Sequence, residues 1–456
     1  MTLRFYNSLT NQKEDFRPIH EGEVSMYVCG MTVYDSCHLG HARAMMAFDI
    51  LVRYLKNQDY KVKFVRNITD VDDKIIERAI QNNESIGDLT QRTIASMQED
   101  FAQLGLLLPN TEPRATDYIP GMIEMIEGLI QKGHAYHSPG GDVFFAVRTF
   151  PEYGKLSNKN IDDLNPGARI AEDDSKKDPL DFVLWKSAKE GEPSWNSPWG
   201  QGRPGWHIEC SVMSFENLGE HFDIHGGGPD LLFPHHENEI AQSECASGNK
   251  FANYWLHSGL LKINGEKMSK SLGNFAMLKD LFISYHPEVI RYYLVSSHYR
   301  SSLNFDQESL NQAKSALTRL YQALASMEGE GNELDQDMMN QFSLVMNDDL
   351  NTPEALSLLF QLSKSINNSS DPIQKMKYRT TLKKLSGVLG LLQDDPKTFF
   401  QFGATLSDEE ISQQIALRNV ARDEKDFQTA DKIRDSLIEQ GIILDDSSEG
   451  TTWKKS

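Results

Sequence analysis

Four cysteines are few for a chain of 456 residues, and they are widely scattered, which excludes a disulfide framework. Any special cysteine is better sought as a metal ligand or a core residue, in a reducing, cytoplasmic setting. Long apolar runs are missing as well. No stretch approaches the roughly 18 apolar residues of a spanning helix, so no membrane partner is expected. The opening Met1-Thr2-Leu3-Arg4-Phe5-Tyr6-Asn7 lacks the apolar run of a secretory signal. Positive charge is short: 46 Lys and Arg against 66 Asp and Glu give a net charge of −20, which argues against non-specific nucleic-acid binding. A specific complex stays open through local basic clusters such as Lys375, Lys377, Arg379, Lys383 and Lys384, although each cluster is first read as a solvated face. Internal repeats and long low-complexity tracts are absent, and the length allows two to four domains.

What is present is an alternation of strand and helix patterns. Val24 to Val28 reads as a strand ending at Cys29-Gly30, Ala42 to Lys56 as an amphipathic helix, and Lys61 to Ile68 as a second strand. This opening predicts a Rossmann-type, doubly wound parallel α/β sheet. Residues 115–205, rich in Gly, Pro and Trp, interrupt it as an insertion, so the catalytic domain is expected in two halves, 1–114 and 206–260. Residues 261–306 follow as a segment that carries the Lys267 to Ser271 loop. From 307 to 395 apolar residues fall three and four apart, which predicts a helical bundle. After the Asp394-Asp395-Pro396 break, residues 405–456 read as a small α+β domain of two helices and a hairpin-like Ile442 to Trp453.

Two short segments carry the chemistry. His38-Leu39-Gly40-His41 lies where the first strand feeds the first helix, a position that offers exposed backbone N–H groups and the positive helix end to phosphates. Gly40 lets a flat base approach closely, and His38 and His41 can aim N–H donors at one phosphate. Lys267-Met268-Ser269-Lys270-Ser271 sits in a Gly-flanked polar loop, where Lys267 and Lys270 would neutralise departing pyrophosphate. A lone His-x-x-His is usually structural, and a Lys/Ser-rich loop is usually a surface turn. Together and in this order the two resemble the HIGH and KMSKS signatures of class I aminoacyl-tRNA synthetases. The run Ile224-His225-Gly226-Gly227-Gly228-Pro229-Asp230 adds a weaker signal. Its glycines, Gly227 among them, suit adenosine, and Asp230 can accept from a ribose hydroxyl.

In Pro234-His235-His236-Glu237-Asn238-Glu239, His235 and Glu239 are four apart on one helical face, a geometry for two ligands on one metal. It is not the His-Glu-x-x-His of a zinc protease. Cys29 and Cys210 would complete a zinc quartet, although from spacing alone plain burial is the better reading of either cysteine. Cys37 and Cys245 read as small buried hydrophobes.

The resemblance narrows with Cys29 to Asp35, Asn67 to Lys74, Asp178 to Lys186, Arg203 to Ser211, Phe233 to Glu239, Ser296 to Arg300, Met346 to Leu356 and Gly450 to Trp453, which are similar to the cysteinyl-tRNA synthetases over essentially the full length. Position 31, often proline in that family, is Met here. The resemblance implies one zinc ion held by Cys29, Cys210, His235 and Glu239 that selects the cysteine thiolate. It implies Thr69 and Trp206 in the amino-acid pocket, ATP with Mg2+ as co-substrate, tRNA(Cys) as partner, and a monomer. It also implies that the insertion handles the acceptor end and that Arg422, Phe427, Asp431 and Asp446 contact anticodon bases. Zinc ligation agrees with chemistry, because a thiolate binds zinc well, a neutral alcohol binds it poorly, and shape alone discriminates weakly between near-isosteres. The expected activity is cysteine–tRNA ligation through an adenylate. The alternatives are a tRNA-independent cysteine:amino-sugar ligase with the same core, which lacks the tail domain, and a non-catalytic tRNA-binding paralogue, which the intact motifs disfavour.

Overall fold

Four parallel strands position everything that follows. The computed structural model describes residues 2–163, 175–267, 274–327, 329, 331–404, 406–447 and 450–455. An antiparallel pair, β1 (Arg4–Asn7) and β2 (Gln12–Asp15), opens the chain. Then come β3 (Glu23–Thr32), α1 (Leu39–Asn57), β4 (Lys61–Thr69), α2 (Asp73–Asn82) and α3 (Ile86–Gln103). The chain continues through α4 (Ile119–Gln131) into five short strands, β5 (Ala135–His137), β6 (Val143–Phe145), β7 (Phe182–Ser187), β8 (Trp195–Ser197) and β9 (Gly200–Pro204). The main sheet resumes with α5 (Trp206–Leu218), β10 (Phe222–Gly227), α6 (Glu237–Ser247) and β11 (Ala252–His257).

The main sheet has the order β11-β10-β3-β4 with every pair parallel. Its strands read as nearly continuous apolar or buried runs, because both faces are covered. Chain order and spatial order diverge between β3 and β10. In a doubly wound sheet the ligand crevice lies at that switch point, beyond the carboxyl ends of the strands. This is the expected Rossmann-type α/β class.

Local details exceed what periodicity predicts. α1 starts at Leu39 rather than Ala42, because His38 caps it: the His38 Nδ1 accepts from the His41 N–H at 3.3 Å and the His41 Nδ1 accepts from the His38 N–H at 3.4 Å. This is a capping box built from imidazoles instead of Ser and Glu. β3 carries a bulge. Val28 pairs with Arg66 and Met31 with Ile68, so Cys29 and Gly30 together face Asn67. A bulge re-aims side chains beside active sites. Glycine is required there, since a Cβ on residue 30 would lie 1.8 Å from the Asn67 carbonyl oxygen.

The insertion contains an antiparallel sheet of order β5-β6-β7-β9-β8, with Trp185 fully buried under it. After β11 come β12 (Leu261–Ile263), β13 (Glu266–Lys267), α7 (Leu278–Ser284), α8 (Pro287–Val295) and β14 (Leu303–Phe305), and these strands make a sheet of order β13-β12-β14. Helices α9 (Gln307–Ala325), α10 (Gln336–Asn347), α11 (Thr352–Asn368), α12 (Pro372–Val388) and α13 (Pro396–Gln401) follow. The tail holds α14 (Asp408–Asp423), α15 (Phe427–Glu439) and the hairpin β15 (Ile442–Ser447) and β16 (Gly450–Lys455), around a core of Ile411, Leu437, Ile442, Leu444 and Trp453. Two compact units result. The first is Met1–Met277, Leu294–Phe305 and Ser343–Ala355; the second is Leu278–Tyr293, Asp306–Phe342 and Leu356–Ser456. Among the described residues no helix is long and apolar enough to cross a membrane.

Candidate active site and metal cluster

A crevice of about 340 Å3 opens at the switch point. The end of β3 supplies Cys29, Gly30 and Thr32, the start of α1 supplies His38, Gly40 and His41, the start of α5 supplies Trp206, and the turn after β10 supplies Gly228 and Asp230. Nucleotide-signature residues and a cysteine of the expected metal quartet therefore share one cavity. Lys74, to which sequence alone assigns no role, also lines it, with its Nζ 5.7 Å from the centre of the Tyr34 ring.

The two imidazoles at the mouth of α1 stack at 3.6 Å with 15° between planes. Burial holds the His38 ring down to about 4 and the His41 ring well below its usual value, so both are neutral at pH 7. Each Nδ1 accepts a backbone N–H, which assigns the proton to Nε2 and leaves that atom as the donor of each ring.

Cys29, Cys210, His235 and Glu239 converge, all buried, with one ligand atom from each within 4.8 Å of the others, and Cys29 is the member that lines the crevice. The two Sγ atoms are 3.6 Å apart and both cysteines are free. Two thiolates on one tetrahedral zinc, each at about 2.3 Å, sit about 3.8 Å apart, so the pair fits such an ion. The Cys29 Sγ is 3.4 Å from the Glu239 Oε1, and the His235 Nε2 is 2.9 Å from the same oxygen. Burial opposes charge at each group, yet the carboxylate and the Cys210 sulfur hold His235 up to about 10, and His225 and His235 hold Glu239 well below the usual carboxylate range. Burial would raise the Cys210 thiol, but hydrogen bonds from Cys29 and His235 bring it to about 6; burial and that same pairing push Cys29 up. A cation entering this donor set would have to displace the protons that His235 and Cys29 hold.

A second group, Cys29, His225, His236 and Glu239, also meets the distance requirement. Its chemistry is poorer. It holds one cysteine where the first group holds two, and its histidines also serve their neighbours: the His225 Nε2 bonds the Glu239 Oε2 at 2.7 Å, and the His236 Nδ1 bonds the His257 Nε2 at 2.8 Å. Those contacts have the form of an outer shell that orients ligands. The same holds for His207, whose Nδ1 is 2.8 Å from the His235 Nδ1, and for Trp206, which stacks on His235 at 4.1 Å. These surrounding histidines were hidden in plain view: each lies in or near a motif, but only the strand order brings them together.

Burial holds His257 at about 3 and His207 and His236 well below their ordinary value. An unfolded histidine takes up a proton near 6.5, whereas these stay neutral, so the unfolded chain binds more protons below that pH. Their contribution to stability is complete above about pH 6.5 and is lost as pH falls. Between pH 6.5 and 5 one such residue removes about 2 kcal/mol. Urea unfolding at pH 7 and pH 5 should accordingly show a fall in stability that is smaller by about that amount in His257→Asn; an equal fall in both would reject the assignment.

Two expected residues sit elsewhere. The Thr69 hydroxyl, at the end of β4, donates to the Glu209 Oε2 at 3.2 Å and does not line the crevice. A Cβ on Gly227 would meet the His236 ring at 2.8 Å, so this glycine admits the histidine layer rather than facing the crevice. Lys267 ends β13, and Lys270 lies outside the described residues. Cys37 and Cys245 are buried and belong to neither ligand group among the described residues. In the tail, Asp446 receives a bidentate pair from buried Arg418 at 2.9 and 2.6 Å, a contact from Arg422 at 3.2 Å and the Thr451 hydroxyl at 2.7 Å. Those partners, Arg418 first, hold its carboxyl far below the usual range. Phe427 is 62% exposed, and Asp431 is exposed one turn further along α15. Arg418 is the residue that sequence reading missed.

Comparison with known proteins now adds weight. Residues 15–315 match the family described as tRNA synthetases class I (C) catalytic domain, and residues 341–393 match the DALR domain. A cysteine–tRNA ligase of Methylococcus capsulatus is 55% identical over 463 residues, covering 99% of this chain and 100% of that protein. The chain belongs to the cysteine–tRNA ligase family. A family member from Legionella pneumophila is 56% identical, with 99% of each chain covered. The fold is that of solved class I synthetases. Mycobacterium tuberculosis methionyl-tRNA synthetase in complex with methionyl-adenylate superposes with a TM-score of 0.57 at 15% identity, over 80% of this chain and 89% of that one. The Agrobacterium radiobacter LeuRS of a ternary complex with tRNA and LeuAMS gives 0.59 at 12% identity, over 82% and 84%.

Proposed function

We propose that the chain attaches L-cysteine to tRNA(Cys) in two steps. The cysteine carboxylate attacks the α-phosphorus of ATP, forming cysteinyl-adenylate and releasing pyrophosphate. A terminal ribose hydroxyl of the tRNA then attacks the adenylate carbonyl and releases AMP. The observation that carries this reading is that Cys29, one of the four converging donors, lines the same crevice as His38, Gly40 and His41.

In this reading Cys29, Cys210, His235 and Glu239 hold one zinc ion, which when bound supplies a Lewis-acidic site for the substrate thiolate. Trp206, stacked on His235, closes the side of the amino-acid pocket, and Thr69 supports it from behind through Glu209. Gly40 and Asp230 receive adenosine, and Gly227 supports them by making room for His236. His38 and His41 donate from Nε2 to the phosphate, where charge develops. Lys267 and Lys270 neutralise pyrophosphate, which leaves as the Mg2+ complex. Arg422, Phe427, Asp431 and Asp446 meet the anticodon, with Phe427 as a stacking platform. Asp446 exchanges Arg422 for a base while Arg418 keeps it in place. The insertion takes the acceptor end, and the enzyme acts as a cytoplasmic monomer. The tail domain favours tRNA over an amino sugar as acceptor.

Cysteine-dependent exchange of labelled pyrophosphate into ATP tests the first step, and charging of total tRNA tests the second. Exchange should be lost with a zinc chelator and should not respond to serine. Zinc-loaded, folded protein that gives no cysteine-dependent exchange would overturn the reading.

A further inference from the structure

Two of the segments most characteristic of this chain, Ser296 to Arg300 and Met346 to Leu356, contribute no residue to the lining of the crevice or to the candidate metal ligands. They meet at Asp349. This carboxylate is fully buried and ionically paired. Its Oδ1 accepts from the Tyr6 N–H at 2.9 Å and the Tyr299 hydroxyl at 2.8 Å; its Oδ2 accepts from the Arg300 Nε at 2.8 Å and Nη2 at 2.6 Å. Asp349 and Leu350 have φ of 64° and 54°, two consecutive left-handed residues without the freedom of glycine. Such strain persists only where the surroundings over-determine it, and it concentrates at working parts of a protein.

What Asp349 holds leads in one direction. The Tyr299 carbonyl accepts from the Gly259 N–H at 2.6 Å, and Gly259 lines the crevice. A Cβ on residue 259 would lie 2.1 Å from the Ser301 carbonyl, so the two backbones are in direct contact. Four residues beyond Tyr299, β14 pairs with β12, Leu303 with Leu261 and Phe305 with Ile263. β12 pairs in turn with β13, Lys262 opposite Lys267. Lys267 is the first residue of the second nucleotide signature. From the other side, buried Arg43 of α1, two residues beyond His41, donates to the carbonyls of Leu294, Ser297, His298 and Ser301. The segment 294–301 is thus clamped between the helix that starts at His38 and the carboxylate of Asp349.

We propose that Asp349 is a positioning residue for adenylate formation: through Tyr299 and Arg300 it fixes the hairpin that delivers Lys267 relative to the helix that carries His38 and His41. This rests on the ligase reading above and adds a residue outside its crevice. Catalysis by placed charges is sensitive to displacement, and an error near 1 Å costs about 100-fold. Asn at position 349 keeps an acceptor for Tyr6 and Tyr299 but loses the charge that grips Arg300.

The experiment is a double-mutant cycle in cysteine-dependent pyrophosphate exchange with the zinc-loaded, full-length enzyme. Asp349→Asn should lower kcat/KM for ATP by about 10- to 100-fold while the cysteine KM stays within about twofold. Placed on Lys267→Ala, the same change should cost less than about threefold, because the lysine it positions is gone. The same loss in both backgrounds, or a cysteine KM that rises in step with that for ATP, would overturn the proposal and make Asp349 a general stability residue. If Asp349→Asn shows no cooperative urea transition, Tyr299→Phe carries the same cycle, since it removes one hydrogen bond and keeps the ring. Wild-type enzyme without exchange would defeat the ligase reading; active wild type with an indistinguishable Asp349→Asn would defeat only this one.

Discussion

Cys29→Ser should raise the KM for cysteine by about 1,000-fold or more, equivalent to about 4 kcal/mol, and leave the Kd for ATP within about twofold. The reasoning starts from what a pocket can do by shape. Cysteine and serine differ by one atom, and a site that sorts such pairs by size alone gains only about 10- to 200-fold. Selection of about 10,000-fold requires roughly 5.5 kcal/mol, more than that fit supplies. In the ligase reading, a zinc ion held by the buried donor set of Cys29, Cys210, His235 and Glu239 would supply that differential affinity, since zinc ligates a thiolate well and a neutral alcohol poorly. Serine at position 29 replaces a sulfur that lies 3.6 Å from the Cys210 Sγ with a poorly ligating hydroxyl, while the bulge that aims it stays intact. The residues proposed to receive adenosine, Gly40 and Asp230 among them, lie elsewhere in the crevice, so its affinity should not follow. Steady-state exchange kinetics, ATP titration calorimetry and metal content on the same preparation separate these effects. Parallel loss of cysteine and ATP affinity, with zinc retained, would refute thiolate selection by this cluster.

How much of this was legible beforehand differs from element to element. The start of the parallel sheet was legible because two strand patterns, Val24 to Val28 and Lys61 to Ile68, flank a helix with a clear period, Ala42 to Lys56. The sheet in the insertion was not, because strands such as Ala135–His137 and Trp195–Ser197 are three residues long and leave no countable alternation. Cys29 could be placed at a strand end, but its aim into the crevice comes from a bulge that depends on how Asn67 pairs across the sheet. His225 could be placed in the glycine-rich run Ile224 to Asp230 but not beside the metal-ligand candidates, and His257 could not be placed at all. Their roles follow from β10 and β11 lying side by side, which is a fact of strand order and not of spacing. Arg418 illustrates the same limit in the tail. Its motif neighbours Arg422 and Asp446 look like free surface groups in one dimension, yet a buried guanidinium already holds the carboxylate.

Replacing both imidazoles at the head of α1 should slow adenylate formation by about 100- to 1,000-fold, about 2.7–4 kcal/mol in the barrier, without weakening cysteine binding. Both rings are neutral, so their effect does not come from charge at rest. Each spends its Nδ1 on the reciprocal cap, which fixes both ring planes before substrate arrives, and the remaining Nε2 donors require no reorganisation as the phosphorus centre gathers negative charge. His41→Asn isolates this function better than a change at residue 38, because loss of the N-cap itself costs about 1 kcal/mol of helix stability. The doubly substituted enzyme should be little slower than the worse single variant, since the stacked pair acts as a unit. Single-turnover formation of the adenylate at saturating ATP and cysteine measures this directly. The pH profile supplies an independent check. With His38 titrating near 4, the rate should show no inflection from these rings between pH 6 and 8. An inflection near 6.5 that disappears in His41→Asn would mean the rings act as a proton-transfer pair, and would replace the neutral-donor account of the site.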